Sequence, residues 1–352
     1  MLDMWELAKR KIRENDDKTA KFNEAMDEKA DDGAPRRTTT HIVMCGVSQS
    51  GKSTLVNKFL DRNEEPKETT ALEYIYARRT RGNHKDVCHI WELGGGTKFA
   101  QLLAIPFVKK NIESASLTVV LDLTRPNELW ATMEQLMTAA YRYVEAAIKE
   151  LDQQRQEVLK NRSTSRTSEY KDDIRMCSPF PIPLLIVGSR YDEFQNFDSE
   201  QRRKICASLR FISHYYGANL MVKLNLKYAS SFLSHFAFGT TVPRTKVDDH
   251  NKPIYVVCGM DTFESIGPPP IDTATFSRAG QPIHLWKQAF TDHFPQTEAE
   301  LEKKSTEDQE LFSEPIIDNL IAKREKDLEM YIKQKKDRQA AEARAAEKIK
   351  AI

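Results

Sequence analysis

Gly46, Gly51, Lys52 and Ser53 stand at the spacing G-x-x-x-x-G-K-S in the stretch GVSQSGKS. Residues of these types at this spacing can bind phosphate. Glycines let the backbone approach an anion without a Cβ in the way. Amides of the loop and of the helix that follows then point at the charge. Ser50 and Thr54 flank the core of the motif. Lys52 is expected to reach the β- and γ-phosphates, and the Ser53 hydroxyl to bind Mg²⁺.

A second group, Ser189-Arg190-Tyr191-Asp192, follows the apolar run PLLIVGS. Guanine-specific proteins carry N-K-x-D after the corresponding strand. The Asp192 carboxylate can accept from both N1 and N2 of guanine, a donor pair that adenine lacks. Arg190 stands for the lysine whose stem covers the base, without being its equivalent. Ser189 stands for an asparagine whose amide braces the loop. No S-A-K-like match is seen for a third base-contacting loop after ANLMVKLN.

The third group bears on turnover. Thr69, with Thr70 beside it as an alternative, stands where a switch threonine would meet Mg²⁺ and the γ-phosphate. WELGGG places Glu92, Gly95 and Gly96 where a switch has aspartate, glycine and a water-orienting glutamine. Glu92 has one methylene more than aspartate, which alters its reach to a metal-bound water. The Gly95 amide can face a γ-phosphate. Gly96 has no side chain, and losing a positioning group of this kind slows a reaction by orders of magnitude. Binding without appreciable hydrolysis is the expectation.

These groups require an α/β scaffold. HIVMCGV reads as a buried strand and KSTLVNKFLD as the helix behind it. TALEYIYARRT and DVCHIWEL, separated by RGNHK, read as an antiparallel hairpin. SLTVVLDL and PLLIVGS are further buried strands. NELWATMEQLMTAAYRYVEAAIKELDQQRQEVL reads as one long helix, and RSTSRTSEYKDD as a flexible polar insertion. TKFAQLLAIPFVKKNI is helical in part, with a break at Pro106. A helix ending at Gly217, the strand ANLMVKLN and the helix YASSFLSHFAFG complete a mostly parallel doubly wound sheet with one antiparallel edge. KPIYVVCGMDTF and HLWKQAFTDHF extend past a minimal nucleotide-binding unit.

Three zones follow. Residues 1–40 hold a short amphipathic helix and a linker, residues 41–295 the GTPase-like domain with its extension, and residues 296–352 a charged helical tail. The tail reads either as a solvated segment or as a helix that docks on a partner. The 352 residues carry a formal net charge of +1, which argues against bulk nucleic-acid binding. The five cysteines form no C-x-x-C pair and read as free thiols of a reducing compartment. The charged N-terminus predicts no secretory signal, and no apolar run approaches the roughly 20 residues of a membrane span.

ALEYIYARRTRGNHKDVCHIWELGGG, VVLDLTRPNELWATME and PFPIPLLIVGSRYDEFQNFDSEQRRKICASLRFISHYYGANL resemble the light intermediate chains of cytoplasmic dynein, in the dynein 2 branch. The likeness continues through NKPIYVVCGMDTFESIGPPP to Trp286 and covers about residues 41–295. It implies a Ras-like P-loop fold in a non-catalytic subunit of the ciliary motor of retrograde intraflagellar transport. The implied partners are the dynein 2 heavy chain, the other dynein 2 subunits and, indirectly, intraflagellar transport particles, with neither nucleic acid nor membrane insertion. The implied sites are the cytoplasm, the cytoskeleton and the axoneme and basal body of the cilium. The implied cofactor is a guanine nucleotide, GDP or GTP, with Mg²⁺ at Ser53 and Thr69, held for folding. A regulatory switch of the Ras or Rab type is the alternative. Gly96, Glu92 and an ending EKIKAI without a prenylation cysteine count against it. A nucleotide kinase or ATPase is poorly supported, since Asp192 favours guanine and no second catalytic cluster is seen.

Overall fold

The computed structural model describes residues 39–81, 84–222, 226–270 and 282–296, and, in the tail, 319–320, 323–324, 326–335 and 338. The chain divides into two units, Met1–Gln296 and Thr297–Ile352. The expected N-terminal helix, the hairpin turn at 82–83 and the third base-contacting loop at 223–225 lie outside the described residues. In the second unit the described residues are helical and exposed, Leu328, Met330, Tyr331 and Ile332 among them.

The first unit runs β1 (Thr39–Gly46), α1 (Lys52–Phe59), β2 (Leu72–Arg81), β3 (His84–Leu93), β4 (Ala115–Asp122), α2 (Pro126–Lys149), α3 (Gln153–Arg166), β5 (Leu184–Ser189), α4 (Tyr191–Phe194), α5 (Ser199–Tyr215), β6 (Asn219–Val222), α6 (Leu226–Phe238), β7 (Tyr255–Val256), α7 (Phe263–Ile266) and α8 (Pro282–His293). The sheet order is β2-β3-β1-β4-β5-β6-β7. β3, β1, β4, β5 and β6 run parallel, and β2 pairs antiparallel with β3 at one edge. At the far edge the two-residue β7 adds an antiparallel pairing to β6. β4 and β5 are buried along their whole length, as strands covered on both faces must be.

The sheet separates two apolar cores. The larger packs Val43, Cys45, Leu117, Val119 and Ile186 against α2, α5 and α8. The smaller packs Ile42, Met44, Ile90 and Val187 against Leu55 and Val56 of α1 and Phe232 and Leu233 of α6. This alternation along β1 is the period-2 pattern of a strand.

Two segments differ from the sequence expectation. The single long helix is two, α2 and α3, because Leu151 turns into the core and Asp152 is extended (φ −65°, ψ 151°). The polar stretch after it is ordered. Arg166 donates to the carbonyls of Phe180 (2.8 Å) and Pro181 (3.3 Å), and Tyr170 is buried in a 3-10 run, Ser168–Met176. The region around Pro106 is also 3-10 rather than α-helical, at Ala100–Ala104 and Ile112–Ser114.

The extension belongs to the same core. The Phe211 ring stacks on Trp286 at 4.7 Å and meets Phe263 at 5.6 Å. Arg210 makes a bidentate pair with Asp261 at 2.7 and 2.8 Å. The domain closes at Gln296, whose side chain spans the first turn of α2. Its Oε1 accepts from the amides of Trp130 and Ala131, both at 3.1 Å, and its Nε2 donates to the Pro126 carbonyl at 3.0 Å.

One buried base makes the fold acid-sensitive. His41 on β1 is 8 % exposed and stacks on His89 at 4.7 Å. Burial, with His89 and Lys110 nearby, lowers its pKa from 6.5 to about 4. The fold therefore favours the neutral ring. Its contribution is complete above pH 6.5 and is lost as pH falls through 4. The loss is up to roughly 3 kcal/mol. His41→Phe keeps the stack and removes the titration. Urea midpoints at pH 7 and pH 4.5 are expected to fall less for the variant than for the wild type. Equal drops would remove His41 as a cause.

Candidate nucleotide site

In this fold the C-terminal ends of parallel strands lie along one edge, where ligands bind. That edge collects the loop after β1, the end of β3 at Glu92–Gly96, the end of β4 at Asp122 and the turn after β5 at Ser189–Asp192. A cleft of about 330 Å³ opens there, walled by Ser48–Thr54, by Pro66–Thr69 and by Glu92, Gly94 and Gly95.

Lys52 is 4 % exposed and donates to the carbonyls of Gly46 (3.2 Å) and Val47 (2.7 Å). Burial lowers its pKa, and Glu92 beside it opposes that shift. The Ser53 hydroxyl donates to Glu92 Oε1 at 2.6 Å. Burial raises the Glu92 pKa, against the pull of the Ser53 hydroxyl and of Lys52. Thr69 lines the cleft but gives its proton to Glu73 Oε2 at 3.1 Å, while Thr70 is exposed. Ser50, Gly51 and Thr54 complete the loop wall.

Two buried atoms in this wall have no hydrogen-bond partner, Glu92 Oε2 and Ser50 Oγ. Leaving such groups unmade costs free energy, so a ligand with polar atoms would satisfy them. Because Ser53 gives its proton to Glu92, its lone pairs stay free for a cation. Glu92 Oε2 can accept from a metal-bound water. The residues therefore fit Mg²⁺. Among the described residues no group of three His, Cys, Asp or Glu is placed to hold a metal. The remaining ligands would be phosphate oxygens and water, the usual company of Mg²⁺.

The three glycines of the switch stretch have different reasons. A Cβ on Gly94 would overlap the Thr69 carbonyl, and one on Gly95 would overlap the Phe99 ring. Gly96 is buried, and a Cβ there would make ordinary van der Waals contact with the loop backbone, Val47 Cα at 3.7 Å and Ser48 N at 3.9 Å. Gly96 thus sits over the phosphate loop with nothing to offer it.

The base-site residues do not line the cleft. Ser189 is buried, and its hydroxyl donates to the Leu121 carbonyl at 3.1 Å, tying β5 to β4. Arg190 has a left-handed backbone (φ 53°, ψ 39°) and reaches the Gln49 carbonyl at 3.3 Å and Asp122 Oδ2 at 3.3 Å. Its guanidinium thus bridges loops. Asp192 is exposed in the first turn of α4. Asp122, Gln49 and Glu73 were not anticipated from the sequence. Of these only Asp122 left a signal, as a charge ending an apolar strand.

A profile of the family described as "Dynein light intermediate chain (DLIC)" matches residues 30–184. The chain is 38 % identical over 344 residues to cytoplasmic dynein 2 light intermediate chain 1 of Danio rerio, covering 93 % of this chain and 94 % of the relative. It is 36 % identical over 303 residues to the protein of that name from Homo sapiens, covering 83 % and 84 %. A crystal structure of the dynein light intermediate chain's conserved domain aligns with a TM-score of 0.49 at 16 % identity, over 71 % of this chain and 97 % of that one. Sequence identity of this extent across nearly the full length of both chains places the protein in the dynein light intermediate chain family.

Proposed function

We propose that this chain is a non-catalytic subunit of the cytoplasmic dynein 2 motor. It binds and stabilises the heavy chain, assembles with the other dynein 2 subunits and serves retrograde intraflagellar transport and cilium assembly, in cytoplasm and cilium. Its cleft holds a guanine nucleotide, GDP or GTP, with Mg²⁺, as part of the fold. Lys52 and the loop amides bind the phosphates, Ser53 and Glu92 hold the cation with Thr69 in reach, and Asp192 reads the base. A ligand that binds only the folded state stabilises it by mass action, with no turnover needed.

The observation that supports holding without consuming is that Gly96, packed over the loop, carries no side chain. The wall offers groups that suit an anion and a cation, yet Gly96 brings no side chain that could orient a water. The expected single-turnover rate lies below the roughly 10⁻⁴ s⁻¹ typical of unassisted switch GTPases.

The test is to denature the purified protein, identify the released nucleotide by chromatography, and ask whether Lys52→Ala still co-purifies with the heavy chain. Bound guanine nucleotide in the wild type and assembly by a folded Lys52→Ala are expected. Brisk hydrolysis, or a folded Lys52→Ala that no longer assembles, would favour a Ras- or Rab-like switch instead.

A further inference from the structure

We infer that Asp122 is a positioning residue of the base site, holding Arg190 against the phosphate loop and so aiming Asp192. The inference rests on the guanine-nucleotide reading above.

Asp122 ends β4 and is 3 % exposed. Its Oδ1 accepts from the Thr124 amide (3.0 Å) and hydroxyl (2.6 Å). An asparagine would serve those two donors as well. What asparagine lacks is the charge, and the charge is on Oδ2. That atom is buried, makes no hydrogen bond, and lies 3.3 Å from Arg190 Nε and 3.8 Å from Arg125 Nε. A buried carboxylate oxygen is costly unless a cation compensates it. The half-buried Arg190 is the nearer cation.

Arg190 needs such a hold. Its φ of 53° and the φ of 59° at Gln49 are both left-handed, a conformation that non-glycine residues keep only when their surroundings impose it. The guanidinium supplies the constraint from two of its nitrogens, Nε toward Asp122 and Nη2 to the Gln49 carbonyl. A lysine would bring both contacts to a single nitrogen and lose the fixed fork that separates them here. The turn fixed at Arg190 starts α4 and sets where Asp192, two residues on, presents its carboxylate. The chain thereby links the end of β4, the phosphate loop and the base loop through one ion pair.

The experiment uses the full chain and follows release of fluorescent GDP and of fluorescent IDP, which lacks the 2-amino group, by stopped flow. The variants are Asp122→Asn, Arg190→Lys and the double variant, with thermal unfolding of each as control. Each single variant is expected to release GDP on the order of tenfold faster, with the double variant no worse, as for two residues acting through one contact. The preference for GDP over IDP is expected to shrink in Asp122→Asn. Wild-type release from Asp122→Asn, additive effects in the double variant, or equal losses of GDP and IDP would overturn the inference alone. A wild-type protein with no affinity for GDP would overturn the nucleotide reading and this inference with it.

Discussion

Arg210→Met is expected to lower the unfolding free energy by about 3–5 kcal/mol, the usual cost of removing one partner from a buried ion pair. The Arg210 and Asp261 side chains are 9 % and 4 % exposed, and the bidentate geometry leaves little to improve. Arg210 also donates to Ser265 Oγ at 3.0 Å and approaches Asp248 Oδ2 at 3.4 Å. In the variant, the only cation left near Asp261 among the described residues is Lys246, 3.2 Å away with its side chain 23 % exposed, beside the Thr262 amide at 3.1 Å. The double variant Arg210→Met/Asp261→Leu is expected to recover much of the loss, because neither charge is then stranded. Urea titrations of the three proteins decide it. A loss below about 1 kcal/mol in the single variant would show that the clamp does not hold the extension.

Gly94→Ala and Gly96→Gln, two residues apart, are expected to behave in opposite ways. At Gly94 the new methyl would collide with the Thr69 carbonyl, a backbone atom that cannot rotate aside. The 2.6 Å bond from the Gly94 amide to the Ala71 carbonyl would open, and Thr69 would leave the cleft wall. The expected loss is about 3 kcal/mol or more, at the upper end of overpacking effects. At Gly96 a Cβ would make only ordinary contact, with Val47 Cα at 3.7 Å and Ser48 N at 3.9 Å, and the left-handed φ of 64° is the main opposition to a side chain. That costs about 1–2 kcal/mol. Gly96→Gln is then expected to fold and to hydrolyse GTP on the order of tenfold or more faster in single-turnover assays. If Gly96→Gln folds and stays as slow as the wild type, the missing side chain is not what limits hydrolysis. If Gly94→Ala is as stable as the wild type, the close approach to Thr69 is not needed.

The legible parts of this fold are those whose reasons are local. β1, the phosphate loop and α1 could be read from adjacent residues, because a buried strand, a glycine-rich turn and a helix start follow each other directly. β2 and β3 were legible as alternating runs on either side of a turn. The break between α2 and α3 was not, since Leu151 leaves the helical path for a core contact that no periodicity reveals. The polar stretch after α3 looked unstructured because its composition is polar. It is ordered by Arg166 reaching carbonyls in the segment before β5, a contact made by backbone oxygens that sequence does not display. In the site, the roles expected of Lys52 and Ser53 rest on spacing alone. That Ser53 meets Glu92, or that Arg190 meets Asp122, depends on strands brought side by side by the sheet.

Gln296 has a mechanical consequence. Residues 297–352 join the domain covalently at this residue, so a pull on them arrives there first. The load would meet three side-chain hydrogen bonds on the first turn of α2, then the Phe294–Phe290–Trp130 aromatic contacts beneath. It would not meet the sheet, whose strands are held by many backbone bonds acting together. Under tension α8 would therefore peel away one contact at a time at low force, while β1, β4 and β5 and the cleft between them stay intact. For a chain from a motor-subunit family, this makes the end of the domain a yielding joint that can give and re-form without disturbing the cleft.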